Sequence, residues 1–304
     1  MKIFYSELTA NPAYYSFGYS VYGEFEDGDM LSDCYEKGFL PFVGTRKQSP
    51  RAMFMARGVR VLLHEFIEKH YHSRVRHKVA LRFPEGITVV VYKRGAHKGL
   101  DKVHAFFLSY FYFRFGKESM PPDRLFAIIH SPFVTHIAEY SYQGKIIGYS
   151  LEVHADTFIH VWHQAYAKEH VHTHLGVYLY MELLERAKKA KMHHLYFGVT
   201  YGTWMNYKTN FQPLEFWNGA QWIKDSKSTL LKELFKRDGT RQIAFTDEWR
   251  KNQDPYYDTP YPFSSRFSEL RYLYIFAVLH PRIIGVYLIL VSSLTLLVCF
   301  KFFF

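Results

Sequence analysis

The sequence predicts a mixed α/β fold, an α+β arrangement of helices on a central sheet, followed by a C-terminal hydrophobic transmembrane helix. Three observations carry that prediction. Between Phe133 and Trp222 the chain reads strand, strand, strand, helix, strand and a further strand. From Leu175 to Ala190, Val177, Tyr180, Met181, Leu184 and Ala187 recur three and four apart, the period of a one-sided helix. From Ile283 to Phe300 there is no charged residue. At about 1.5 Å of rise per residue that run spans about 27 Å, close to the roughly 30 Å core of a bilayer.

Composition narrows the classes. The chain has 304 residues, 48% of them hydrophobic and 19% aromatic, which excludes a disordered chain and suffices for a substantial core. Its two cysteines, Cys34 and Cys299, form no CxxC pair, so a zinc ribbon or iron–sulfur quartet is not expected. Met1 to Ala10 lacks the apolar core of a signal peptide. The formal net charge is +10 and the isoelectric point about 9.3. Between Arg46 and Lys98 thirteen Lys and Arg stand against three Glu, so this window carries an excess as large as the whole chain's. Such a patch suits nucleic acid, anionic lipid or a phosphorylated cofactor; the alternative is a solvated face.

In chain order, Tyr14, Tyr15, Phe17, Tyr19 and Tyr22 are expected in strands around Gly18. Leu31 to Lys37 is expected helical and stops at Gly38; Phe39 to Val43 follows as a short strand. Val59 to Tyr71 is predicted as a helix with Val59, Leu62, Leu63, Phe66 and Ile67 on one face, followed by the basic run Ser73 to Lys78. Ile87 to Tyr92 is a strand by its β-branched density, and Leu100 to Gly116 an aromatic helix. From Phe126 strands take over: Phe133 to Ser141, Lys145 to Val153 across the Gln143-Gly144 turn, and Phe158 to Ala167. The helix from Leu175 carries Lys188, Lys189 and Lys191 near its end, matching the negative pole of its dipole. The strand His194 to Val199, a turn at Tyr201-Gly202 and an aromatic segment complete the core. Leu230 to Phe235 is a short helix and Asp254 to Pro262 a Pro/Tyr-rich linker. Arg266, Arg271 and Arg282 precede the apolar tail, so the positive-inside rule keeps the main domain cytoplasmic, and Lys301 is placed to snorkel to the far interface.

Leu175-Gly176-Val177-Tyr178, Glu182 to Lys188, Leu195-Tyr196-Phe197-Gly198, Met205-Asn206-Tyr207-Lys208 and Phe211-Gln212-Pro213-Leu214-Glu215 follow one another in fixed order. Together they resemble the C-terminal half of the arginyl-tRNA–protein transferases and the related bacterial leucyl-transferases. Phe107 to Met120 is similar to the aromatic helix ahead of that half, so the likeness covers roughly Phe107 to Trp222. The family's N-terminal cysteine motif is absent, since that region holds only Cys34, and its metal or cluster function is not carried over. The resemblance implies a GNAT-like acyltransferase fold with a mixed central sheet. It divides the chain into an N-terminal basic α/β region (1–105), a transferase core (106–250), a linker (251–282) and a membrane anchor (283–304).

Acyl transfer to an amine needs a bound activated donor, a deprotonated amine and hydrogen-bond donors for the tetrahedral oxyanion. In a GNAT-like sheet the strand before the main helix splays from its neighbour, exposing backbone N–H groups, and the helix N-terminus beyond can hold a phosphate. The resemblance thus makes His174, Leu175, Gly176 and Tyr178 the donor-binding candidates, Gly176 because it lacks a Cβ. Lys208 is a candidate contact to a terminal phosphate or to the ribose ester of a charged tRNA, and Tyr207 a hydroxyl donor or a platform for a base. Glu215 is a candidate proton acceptor. Arg74, Arg76 and Lys78 are the candidate nucleic-acid contacts.

The histidines raise a metal reading. His160 and His163 lie on the third strand, and His170, His172 and His174 would share one side of an extended segment. No cysteine or carboxylate cluster joins them, so they are read as a polar loop over the donor site with no metal, and His172 as a candidate general base. No permanently bound cofactor is expected; the cosubstrate is aminoacyl-tRNA or acyl-CoA. The acceptor is an amine, on a protein N-terminus or a small molecule. Two other readings stay open: an acyl-CoA or acyl-carrier-protein dependent N-acyltransferase acting at a membrane, and a catalytically silent GNAT-like membrane protein.

Overall fold

The computed structural model describes residues 1–7, 19–43, 49–201 and 203–238. The expected linker and apolar tail lie outside the described residues, and among those described no helix is long and apolar enough to cross a membrane.

Two sheets organise the chain. The smaller is antiparallel: β1 (Lys2–Glu7), β2 (Tyr19–Glu24), β3 (Phe39–Pro41) and β4 (Ala52–Met55), in the order β1-β2-β4-β3. The larger contains β5 (Gly58–Leu62), β6 (Thr88–Lys93), β7 (His136–Tyr142), β8 (Lys145–His154), β9 (Phe158–Tyr166), β10 (His194–Val199), β11 (Leu214–Trp217) and β12 (Trp222–Lys224). Its order is β12-β11-β5-β10-β9-β8-β7-β6. Six helices accompany them: α1 (Leu31–Glu36), α2 (His70–Arg82), α3 (Leu100–Phe115), α4 (Pro122–Ile129), α5 (Leu175–Lys189) and α6 (Thr229–Asp238). Strands β6 to β9 follow one another as antiparallel neighbours, and Gln143 and Gly144, both at positive φ, make the tight turn between β7 and β8. Strands β9 and β10 are parallel, which demands a crossover, and α5 provides it.

One face of the large sheet is covered by α5 and α2. Leu179, Leu183 and Leu184 of α5 and Val75 and Val79 of α2 pack on Val61, Ile159, Val161 and Leu195. Each fully buried Leu or Val contributes roughly 1.5–3 kcal/mol relative to exposure. Elsewhere α1 and the small sheet enclose Tyr35, Phe39, Met53, Phe158, Tyr196 and Trp217, while Phe107 and Phe111 of α3 and Leu125 and Ile128 of α4 pack on Ile137 and Leu151.

The mixed α/β order is therefore observed, with β10 and α5 where the periodicity places them. The helix expected over Val59 to Tyr71 is instead β5, a loop and, from His70, the first residues of α2. All five residues of β5, Arg60 included, are buried between β11 and β10, and a strand covered on both faces does not show the apolar/polar alternation that marks a half-exposed one. Ile67, expected on the apolar face, is 75% exposed. The basic run Ser73 to Lys78 is not a tail after a helix but the middle of α2. Strands were expected from Phe126, yet Pro122 starts α4, a position that suits a proline because its missing N–H has no helical partner there. The short strands β4 and β12 were not anticipated. The large sheet also draws β5 and β6 from the residues before 106.

Candidate active site

The parallel strand pair builds the site. β10 bonds to β9 only at His194–Phe158, Leu195–Ile159 and Tyr196–His160. Beyond these residues β9 continues to Tyr166 on β8, with a bulge at Trp162 between the His163–Leu151 and Val161–Glu152 pairs. β10 turns away through Gly198, at φ +72°, where its register with β5 also breaks. The ladder ends above His160 and Tyr196, and beyond it lies a gap whose inner backbone groups have no ladder partner across it.

Lys208 closes one arm of the gap. It lies in the 3-10 turn Thr203–Asn210 and is 3% exposed. Its Nζ donates to Phe197 O and Val199 O, each at 2.6 Å, so it takes the carbonyls that the departing β10 leaves open. Burial pulls its ammonium down to about 7. This is a different task from the phosphate or ester contact expected of it.

Four tyrosines, Tyr110, Tyr166, Tyr180 and Tyr207, cluster where α3, β9, α5 and the 3-10 turn meet. Tyr166 ends β9 and its ring lies 5.0 Å from that of Tyr110. Tyr180 of α5 packs 5.0 Å from Phe197 of β10, and its hydroxyl is 3.3 Å from that of Tyr207. Burial, the largest cause in each case, pushes Tyr180 up to about 12 and Tyr207 well above 10, so both stay neutral phenols. Tyr207 therefore keeps the hydroxyl proton its expected role requires.

At the base of the gap stands His160, 1% exposed. Its Nδ1 is 2.8 Å from the hydroxyl of Tyr35, on α1. Its Nε2 is buried with no partner among the described residues, and an ideal Cβ on Gly198 would lie 3.4 Å from it. Burial first, then the charges of His163 and Lys208, pull this imidazole down to about 3.

The donor-side candidates lie at the start of α5. His174 adopts the left-handed conformation (φ 63°) as the residue before the helix, and its Nε2 is 3.3 Å from Nζ of Lys78. Burial, Lys78 and Arg74 lower its pKa. Leu175 is fully buried in the core. Gly176 makes room for a ring: a Cβ there would come 2.8 Å from Tyr166, and its carbonyl already accepts from Gln164 Nε2 at 2.8 Å. The expected close approach of a ligand to Gly176 is thus occupied by Tyr166. Tyr178 is partly buried, and its N–H donates to His174 O at 3.1 Å.

The histidine run is not extended. Lys168–His170 is a 3-10 turn and the chain keeps turning until α5, so the three rings do not share a side. His170 packs edge-on to Phe83 at 5.0 Å, while His172 and His174 are exposed. Among the described residues no group of three or more His, Cys, Asp or Glu is placed to hold a metal ion.

Glu215 faces Arg60 across the β11–β5 pair, with Oε2 2.7 Å from the guanidinium Nε. Arg60 also donates to Glu36 at 2.5 Å and to the Tyr196 hydroxyl at 2.9 Å. The Glu215 carboxylate is therefore engaged as a counter-ion. The basic window divides in the same way. Arg57 and Arg60 are buried, and Arg57 Nε donates to Thr200 O at 2.7 Å. Arg76 is held by Glu68 at 2.5 Å and Glu185 at 3.5 Å. Arg74 and Lys78 remain on the exposed face of α2, beside the start of α5. From sequence His160 stands out only as a metal-ligand candidate, and nothing singles out Tyr166 or Tyr180 as site residues. The signal for His160 was a lone histidine within the apolar strand Phe158-Ile159-His160-Val161-Trp162.

Residues 97–218 match the family model for the C terminus of arginine-tRNA-protein transferases. The aspartate/glutamate leucyltransferase of Marinobacter nauticus is 31% identical over 86 residues, 28% of this chain and 36% of that protein. The match spans about a third of that relative's length. Two solved structures are also similar: FemX (TM-score 0.40, 14% identical, covering 67% of this chain and 70% of that one) and the L-PGS of Bacillus licheniformis (TM-score 0.36, 16% identical, covering 58% and 50%).

Proposed function

We propose that this chain, whose residues 97–218 match the family model for the C terminus of arginine-tRNA-protein transferases, transfers an activated aminoacyl or acyl group to an amine. The observation that carries this reading is the parallel pair β9–β10, bridged by α5 and opening beyond His160 and Tyr196, inside the matched segment. That arrangement suits a GNAT-like transferase. An acyl chain laid in the gap meets the edge of β9 beyond the end of the ladder, while Lys208 already satisfies Phe197 O and Val199 O of β10. The amine nitrogen attacks the ester carbonyl and a tetrahedral oxyanion forms. The bond to the ribose oxygen then breaks, and the proton lost by the amine ends on that oxygen. Held reactants and fixed hydrogen-bond donors supply the rate.

In this reading the donor is aminoacyl-tRNA and the acceptor a protein N-terminus or small amine, with no resident cofactor because the donor brings its own activated bond. The cations Arg74 and Lys78, with His174 at the N-terminus of α5, take the donor's phosphates. Tyr207 offers its hydroxyl toward the carbonyl, and His172, exposed in the turn before α5, takes the proton of the amine and passes it to the departing ribose oxygen. Glu215 serves Arg60. Full-length chain in detergent is expected to bind charged tRNA with an affinity that falls steeply between two salt concentrations. Reversing Arg74, Arg76 and Lys78 to Glu is expected to reduce both the affinity and the salt slope. Binding to acyl-CoA alone would reject the tRNA donor.

A second reading, an acyl-CoA or acyl-carrier-protein dependent N-acyltransferase with a membrane-bound acceptor, is favoured by the apolar run Ile283 to Phe300. The same run supports a C-terminal anchor with the main domain on the cytoplasmic side. Carbonate washing is expected to leave the chain in the membrane pellet; release of the intact chain would exclude a spanning tail.

A further inference from the structure

We infer that His160 is a catalytic residue of this site, its Nε2–H donating to the acyl oxygen as that oxygen becomes the tetrahedral oxyanion. The inference rests on the acyl-transfer reading above and adds a residue to it.

The Tyr35 phenol is fully buried, and burial pushes its pKa well above 10, so it carries its hydrogen. The 2.8 Å contact between that hydroxyl and His160 Nδ1 has two forms. If Nδ1–H donates to the phenol oxygen, the phenol hydrogen and the Nε2 lone pair are both left unmatched. If the phenol donates to Nδ1, only Nε2–H is left. The second form wastes fewer buried polar groups and is therefore favoured. It places an N–H, in a neutral ring, at the point where β9 and β10 separate.

That N–H has no partner among the described residues. Buried donors are paired in nearly all folded proteins, so one left open beside a gap calls for a group that arrives with the ligand. Gly198 keeps the approach clear: its missing Cβ would sit 3.4 Å from Nε2, and its positive φ carries β10 away from β9. Lys208 takes Phe197 O and Val199 O, so these carbonyls on either side of Gly198 already have a donor. The ring is fixed in place by Tyr35 and lies within 6.5 Å of the Tyr196 ring, so the donor is preorganised. A neutral imidazole donates without giving up its proton. His160 thus stabilises charge, while the proton of the amine travels elsewhere.

The test uses full-length chain in detergent, with charged tRNA as donor and an N-terminal peptide as amine. His160→Phe fills the same volume without a donor and is expected to lower kcat by about 10²–10³-fold, with the donor KM within about twofold. His160→Gln, which returns an amide N–H near the position of Nε2, is expected to recover at least tenfold of that loss. The pH profile of His160→Gln keeps the shape of the unmodified chain's, because His160 does not titrate in the working range. Imidazole nitrogen NMR of histidine-labelled chain covers the case in which His160→Phe does not fold. The His160 Nε2–H signal is expected to move downfield on adding an amide-linked, non-transferable aminoacyl-nucleoside. A folded His160→Phe with unchanged kcat, an Nδ1–H tautomer, or an Nε2–H signal that the analogue leaves unmoved would each overturn the assignment while leaving acyl transfer intact. Absence of transfer by the unmodified chain from both charged tRNA and acyl-CoA would remove the acyl-transfer reading, and this assignment with it.

Discussion

Arg186→Leu is expected to lower the unfolding free energy by about 3–5 kcal/mol, because it strands a buried carboxylate. Glu152 lies on β8 with its side chain wholly buried. Arg186, on α5, reaches it twice, Nη2 to Oε1 at 2.8 Å and Nη1 to Oε2 at 3.1 Å. The same guanidinium donates from Nε to both oxygens of Glu182 at 2.9 Å and from Nη2 to the Tyr140 hydroxyl at 3.2 Å. His154 and the Ser150 hydroxyl complete the shell of Glu152. One cation thus serves two carboxylates and ties α5 to the sheet beside the gap. Burial pushes the Glu152 carboxyl up, but Arg186 and His154 outweigh it and hold the group at about 2. A carboxyl held below its ordinary value binds fewer protons folded than unfolded. Its stabilisation is therefore full above about pH 4.5 and is lost as pH falls toward 2. Denaturant titration of full-length chain in detergent checks both points. Arg186→Leu loses this acid-range dependence along with the stability, and a loss below about 1 kcal/mol would show that the network relaxes around the change.

Lys208→Met is expected to reduce acyl transfer by about 100-fold or more and to destabilise the fold. The methionine matches the length of the lysine stem and leaves Phe197 O and Val199 O without their donor, at about 1–3 kcal/mol for each carbonyl that stays dry. The arm of β10 then loses the clamp that sets the width of the gap, and misplacement of reacting groups by about 1 Å is enough for a loss of this order. Burial holds the ammonium at about 7, below its ordinary 10.5, so the unfolded chain binds more protons between those values. Stability contributed through this group therefore rises with pH from about 7 to 10.5, and Lys208→Met removes that rise. Steady-state transfer rates with denaturant titrations at pH 7 and pH 9 measure both effects. A variant as active and as stable as the original would show that Lys208 does not hold the site open.

Periodicity and turn chemistry made α5, β10 and the β7–β8 hairpin legible, because each is a local pattern read within a few residues. β5 was not legible, since Gly58 to Leu62 becomes a strand only when β10 and β11 flank it. The same distance effect hid the site. The Tyr35–His160 contact joins residues 125 apart, and the Arg60–Glu215 pair joins residues 155 apart. Lys208 was found as a residue but not in its role, because nothing local says that the carbonyls of β10 would need it. Gly176 was assigned to a ligand where the fold assigns it to the ring of Tyr166.

The most direct test of the central claim is transfer of a labelled amino acid from charged tRNA to an N-terminal peptide amine by the full-length chain. Label is expected in the peptide, saturable in tRNA and suppressed by salt. Label that stays on the tRNA, with no transfer from acyl-CoA either, would contradict it.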